Sequence, residues 1–235
     1  MTLIILKRKL RSYASPKRKK INEWFFKTGK GHYGHGDVFI GVSNPDCRKV
    51  AKQFQYIAFP EVKKLLQSKI HEDRFTALLI LVNKFEAGDD HEKREVYKFY
   101  LKHLEFVNNW DLVDTSAYKI VGAYIVKHPQ EGQKLSRYAL SKNLWERRLS
   151  IVATFALIRK GEFAWTMKNA KALLVDSHDL THKAVGWMLR EVWKRDHALA
   201  ESFLIKNYSS IPRTTLRYAI ERMKKGKRKQ FLKGF

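Results

Sequence analysis

The sequence predicts an all-α protein, a superhelical solenoid of stacked helical repeats, and three observations carry that expectation. Five helix-like apolar segments each open with a charged residue, Arg74, Asp114, Arg148, Lys183 and Arg217, at gaps of 40, 34, 35 and 34 residues. That is the period of a helical-repeat solenoid, in which each helix pair buries its apolar face against the next. The apolar stretches carry 3.6-residue spacing, as at Leu78, Leu81, Val82 and Phe85, and none alternates as a half-buried strand does. Turn-forming residues punctuate them at Phe59-Pro60, Gly88-Asp89-Asp90, His128-Pro129, Gly161 and Ile211-Pro212.

Taken in order, residues 1–27 read as helix broken at Pro16, with the basic run Lys17-Arg18-Lys19-Lys20 just beyond the break. That run is either a solvated face or a phosphate contact. Residues 28–37, TGKGHYGHGD, read as a loop. Gly29, Gly31 and Gly34 spell GxGxxG there, but that fingerprint cradles a pyrophosphate only between a strand and a helix, and Trp24 to Lys27 read as helix. His32 and His35 have no third ligand nearby in sequence, so no metal is expected. At Asn44-Pro45-Asp46 a new helix starts, because Asn or Ser caps free amides and proline fits the first turn. The expected organisation is one domain over 1–235: N-terminal helices and glycine loop (1–37), helical repeats (38–225) and a basic C-terminal tail (226–235).

Composition speaks to partners. Forty-seven Lys and Arg against 23 Asp and Glu give a formal net charge of +24. A basic surface of this size suits nucleic acid, where each neutralised phosphate releases counterions, and an acidic membrane is the competitor. With 44% hydrophobic residues the chain has ample material for a core. The single cysteine, Cys47, allows no intrachain disulfide and no thiolate metal cluster. No run approaches the roughly 20 apolar residues of a membrane span, and the short Leu3-Ile4-Ile5-Leu6 run does not read as a signal peptide. A cytoplasmic protein is expected.

Equivalent positions in a helical-repeat stack line one concave surface, so Arg74, Arg148, Lys183 and Arg217 predict a basic groove. Asp114 does not fit that groove, since a carboxylate repels phosphate. Trp110 lies four residues before Asp114 and shares its helix face, and Trp187 lies four after Lys183. An indole and a carboxylate both stabilise positive charge, so this pairing suits a substrate that is, or becomes, cationic. Each residue has a plainer role available. Trp187 could be core, Asp114 a helix cap with Asp111 competing for its role, and Arg148 a surface ion pair beside Glu146 and Arg147.

At these residues the sequence resembles the AlkD-type DNA alkylation repair glycosylases. NNWDLVD (108–114), NLWERR (143–148) and KAVGWMLRE (183–191) are similar to that family's signature segments, in order, within a resemblance running from about residue 38 to 223. The resemblance implies HEAT-like repeats and a site formed by Trp110, Asp114, Arg148 and Trp187. The family also uses a tyrosine on the N-terminal side, for which Tyr33 is the candidate. It implies hydrolysis of the N-glycosidic bond of cationic N3- or N7-alkylated purines without drawing the base into a pocket, and no sequence motif suggests a deep base pocket. Asp114 would stabilise the oxocarbenium-like sugar and position water, the tryptophans would pack on the lesion backbone, and Arg148 would hold a phosphate. Lys30, Tyr33, Arg74, Lys183, Arg190, Arg213 and Arg217 are expected DNA contacts.

The expected protein is a monomeric, monofunctional enzyme without cofactor, acting on double-stranded DNA. Two other readings stay open: a non-catalytic repeat protein that recognises distorted or branched DNA, and a protein-binding scaffold. Because the charge is spread over repeat positions, binding to undamaged duplex is expected to be weakly sequence-specific. In a titration across salt concentrations, log affinity should fall linearly with log salt, by about 0.9 per phosphate contacted. Salt-independent binding would contradict the reading.

Overall fold

The computed structural model describes residues 2–234 and is all-α. Among the described residues there is no strand, only an isolated bridge between Val38 and Ile70, and no helix is long and apolar enough to cross a membrane. The chain divides into two compact units, Met1–Ile120 and Val121–Phe235.

The first unit holds α1 (Leu3–Arg11), α2 (Pro16–Phe25), α3 (Asn44–Gln53), α4 (Phe59–Leu66), α5 (His71–Ala87), α6 (Asp90–Lys102) and α7 (Trp110–Ala117). Pro16 does not simply break a helix; it starts α2, whose free amides are capped by the Ser15 hydroxyl accepting from Arg18 N–H at 3.3 Å. Ser43 caps α3 in the same way. Asp89 and Glu92 form a reciprocal capping box at α6, with contacts of 2.8 and 2.9 Å. At the centre is α5, against which α3, α4, α6 and α7 pack. Its residues 71–82 are buried on every side, so the 3.6-residue spacing read at Leu78 to Phe85 marks a central helix rather than a one-faced one.

A π-helical turn, Tyr118–Gly122, leads from α7 to the second unit. That unit holds α8 (Ala123–Lys127), α9 (Gln133–Ala139), α10 (Leu144–Val152), α11 (Phe155–Ile158), α12 (Ala164–Ala172), α13 (Asp179–Trp193), α14 (His197–Lys206), α15 (Arg213–Ala219) and α16 (Lys225–Lys233). Here α13 is central, packed against α10, α12, α14 and α15. Residues 226–235 were expected as a basic tail, but 225–233 form a helix. Phe231 is 1% exposed and its carbonyl accepts from Tyr208 Oη at 2.6 Å, which ties the segment down.

The repeat phase is visible in the helix starts. Asp114, Arg148, Lys183 and Arg217 are each the fifth residue of α7, α10, α13 and α15 respectively, and Arg74 is the fourth of α5. Neighbouring helices of this set pack side by side within each unit, α5 on α7 and α10 on α13 on α15.

At one such contact α13 needs glycine. A Cβ on Gly186 would lie 2.5 Å from both the Thr215 carbonyl oxygen and the Tyr218 Cβ of α15. In an open helix Gly→Ala stabilises by about 1 kcal/mol, whereas overpacking a closed contact costs about 1–3 kcal/mol. The clash should win here, because one neighbour is backbone. Gly186→Ala is therefore expected to lower the melting temperature by a few degrees, read by circular dichroism; an unchanged or higher value would show that α15 moves aside freely.

Candidate functional site

The first unit contains a cavity of about 430 Å³ walled by α2, α7, the start of α5 and the segment before α3. Its apolar wall is a stack of rings. Phe26 lies between Trp110, at 5.2 Å and 13° from parallel, and Phe39, at 4.9 Å. Phe25 meets Trp110 edge-on at 5.8 Å. The two phenylalanines sit at the end of α2, so the N-terminal helices supply the rings against which the α7 indole is held. Sequence motifs gave no hint of this cavity.

Three carboxylates also line it, Glu72, Asp111 and Asp114. Two of them are structural. Glu72 is 3% exposed and accepts the backbone N–H groups of Ile40, Gly41 and Val42 at 2.8–3.2 Å, which turns the chain into α3. Asp111 is 7% exposed and accepts from His71 Nε2 at 2.8 Å. Through Nδ1 the same imidazole donates to Asp37 at 3.1 Å, and Asp37 also binds the Arg74 guanidinium at 2.5 Å and the Asn109 amide at 2.8 Å. Burial alone would lower the His71 pKa, but the Asp111 charge and the hydrogen bonds to Asp111 and Asp37 overcome it and raise the value to about 9. Burial likewise opposes ionisation of Asp37, yet the His71 hydrogen bond and the Arg74 charge hold its carboxyl below the ordinary range. Two buried cations thus balance two buried carboxylates. Asp114, half-buried beside Trp110 and Thr115, is the acid with exposed surface on the cavity wall.

Asp114 is not a helix cap: Asn109 holds that position in α7, its side chain accepting from Trp110 N–H at 2.8 Å. Asp111 is committed to His71 and does not compete for the role. Trp110 and Asp114 therefore come together as their four-residue spacing implied. Trp187 is half-buried in α13, 5.9 Å from Phe155, and so is not a closed core residue. Arg148 is 5% exposed and donates to the Leu180 carbonyl, which rules out a loose surface ion pair and fixes the guanidinium against the start of α13.

Three of the expected DNA contacts need correction. Arg74 is 4% exposed, with its guanidinium committed to Asp37 and to the Ser68 carbonyl at 2.9 Å, so it is a framework residue. Arg190 is engaged by the Glu221 and Glu191 carboxylates and is no open phosphate ligand. Tyr33 turns back on α2, donating to the Phe25 carbonyl at 3.4 Å, and the ring that reaches Trp110 is Phe25. Lys30, Arg213 and Arg217 are exposed, and Lys183 is half-exposed with an ion pair to Asp179 at 2.8 Å. His71, Asp37, Phe25 and Phe26 were missed. For His71 the sequence signal was the polar run His71-Glu72-Asp73-Arg74 at the head of an otherwise apolar helix.

With this geometry in view, residues 6–223 match the DNA alkylation repair enzyme family. The chain belongs to that family. A solved structure titled as a predicted DNA alkylation repair enzyme from Enterococcus faecalis superposes with a TM-score of 0.70, covering 90% of this chain and 97% of that one. At 17% identity the match shows a shared fold. No curated protein matches the chain. Family membership gives the chain a place in the repair of alkylated DNA.

The His71 network has a pH signature. A folded pKa of about 9 against 6.5 for the free side chain means that His71 stabilises fully below pH 6.5 and loses that contribution as pH rises through 9. The loss is on the order of 3 kcal/mol. Urea unfolding at pH 6.5 and 9.5 should show it in the wild type, and His71→Gln, which cannot titrate, should be less stable at both values and lack the slope. A flat wild-type profile would refute the assigned charge.

Proposed function

We propose that this protein is a DNA glycosylase that hydrolyses the N-glycosidic bond of N3- and N7-alkylated purines in double-stranded DNA, as a monomer, with no second lyase step and no cofactor. The observation that carries the reading is a half-exposed carboxylate, Asp114, beside an indole, Trp110, in a protein of net charge +24. A phosphate-binding surface gains nothing from either.

Alkylation at N3 or N7 puts a positive charge on the base and makes it a good leaving group. As the C1′–N bond breaks, its electron pair goes to the base and neutralises it, while the sugar becomes oxocarbenium-like. Water then adds to C1′ and loses a proton. A carboxylate that meets the sugar as it turns cationic stabilises the transition state more than the ground state, which is the condition for catalysis. Asp114 takes this part, and it also orients the water. Trp110 and Trp187 pack against the lesion strand with cation–π attraction. Arg148, already held by the Leu180 carbonyl, is assigned to a phosphate, and Lys30, Lys183, Arg213 and Arg217 to the surrounding backbone.

Asp114→Asn keeps the size of the side chain and removes its charge. Single-turnover release of 7-methylguanine from methylated duplex is expected to fall roughly 10²–10³-fold, as for the loss of one electrostatic group. Affinity for DNA should be unchanged or slightly higher, because a repulsion has gone. An Asn variant that excises at the wild-type rate would remove Asp114 from the chemistry. A wild type that releases no methylated purine would leave only a DNA-binding role.

A further inference from the structure

Helix α2 buries none of its side chains, and one of its faces is composed as if for a ligand. Lys17, Lys20 and Trp24 recur at i, i+3 and i+7, so they share that face over roughly 10 Å of helix axis. Lys27 and Lys30 follow in the turn beyond, both exposed. Trp24 is 80% exposed and its neighbour Ile21 53%. The sole acid of α2, Glu23, pairs with Lys19 at 3.8 Å.

Each part of this arrangement works against the isolated fold. Lys17, Arg18, Lys19 and Lys20 crowd the first turns, where the helix dipole is positive and no acid offsets it. The three longest helices do the reverse: α5 opens with Glu72 and Asp73, α6 with Asp90 and Glu92, and α13 with Asp179. An indole left in water forgoes the burial that rings of its kind usually find. Phe25, next in sequence, turns to Trp110 in the cavity wall, so α2 gives one ring to the site and holds the next one out. A polyanion that also carries flat rings relieves both penalties at once.

We propose that this face of α2 is a second DNA subsite, in which Lys17, Lys20 and Lys27 hold the sugar–phosphate backbone and Trp24 stacks on an unpaired base. The inference rests on the reading of DNA as the substrate. Paired bases inside a duplex hide their faces from a side chain; a base that has lost its partner does not. Excision of a purine leaves one such base, opposite the abasic sugar. The subsite therefore favours the reaction's own product and duplexes with a single unpaired nucleotide.

The test is equilibrium binding without chemistry, so that it stands apart from any result on base excision. Two duplexes of one sequence are compared, one fully paired and one carrying a tetrahydrofuran abasic analogue opposite a normal base. Trp24→Ala is expected to lose roughly 5- to 150-fold on the abasic duplex, the range for one base–aromatic stack, and less than twofold on the paired one. Trp24→Phe should recover most of the loss. The double variant Lys17→Gln/Lys20→Gln should reduce the salt slope by about 2 on the abasic duplex. Equal behaviour of Trp24→Ala and wild type on both duplexes, or an equal loss on both, would overturn the proposal. So would a Trp24-dependent dimer in sedimentation, which would make the face a contact between copies of the chain.

Discussion

The structure of the first unit depends on four consecutive polar side chains buried at the head of α5. His71, Glu72, Asp73 and Arg74 are 0–4% exposed, and their partners come from several other stretches of chain. Glu72 collects the amides of residues 40–42, Asp73 binds Arg11 at 3.2 Å and Ser68 at 2.8 Å, Arg74 grips Asp37, and His71 joins Asp37 to Asp111. Burying such groups is costly unless every one is paired, and removing one partner of a buried pair costs about 3–5 kcal/mol. The consequence is geometric. The first turn of α7, the loop ahead of α3, and α1 are all referred to one turn of one helix. Trp110 and Asp114 stand where they do because Asp111, in the same turn of α7, is held by His71.

The same network separates two uses of charge. Inside the first unit, His71 and Arg74 pair with Asp37 and Asp111, Asp73 pairs with Arg11, and Glu72 is held by backbone amides. Outside, the excess of Lys and Arg has no such match. Arg190 shows the difference within the second unit, being tied to Glu221 and Glu191 where Arg217, of the same repeat phase as Lys183, is exposed. A carboxylate on a basic protein is unfavourable to a phosphate. It favours a ligand only where that ligand carries or develops positive charge. This is why one acid at a cationic phase carries more functional information than any number of the lysines.

What the sequence could show followed the range over which its signals act. The repeat phase, the helix start at Asn44-Pro45-Asp46 and the glycine loop are local patterns, and each appears where the residues indicated, whereas Pro16, read as a break, starts α2 behind the Ser15 cap. The pairing of Trp110 with Asp114 is local too, fixed by one turn of helix. What was misread depended on distant partners. Arg74 has the phase of a groove cation, but Asp37, 37 residues earlier, takes it inside. Arg190 is claimed by Glu221, 31 residues later. The last basic stretch has too few apolar residues to announce a helix, yet the single ring of Phe231 is enough to anchor one. Tyr33 was the aromatic candidate near the N-terminus, and only the fold shows that Phe25 is the ring that meets Trp110.

The fifth residue of α7, α10, α13 and α15 is Asp, Arg, Lys and Arg in turn. The backbone treats these positions alike, because each sits one turn into a helix that packs on its neighbour of the same phase. Their surroundings differ: Arg217 is exposed, Asp114 and Lys183 are half-buried, and Arg148 is buried against the Leu180 carbonyl. In helical repeats generally, the apolar faces between helices hold the stack, and polar positions of one register are those that can serve a ligand. In this chain three of those positions are cationic, and α7 carries the acid. The indole one turn earlier, backed by Phe26 and Phe39, gives that acid an aromatic surface beside it, so charge and ring arrive together from a single helix whose orientation the His71 network has already fixed.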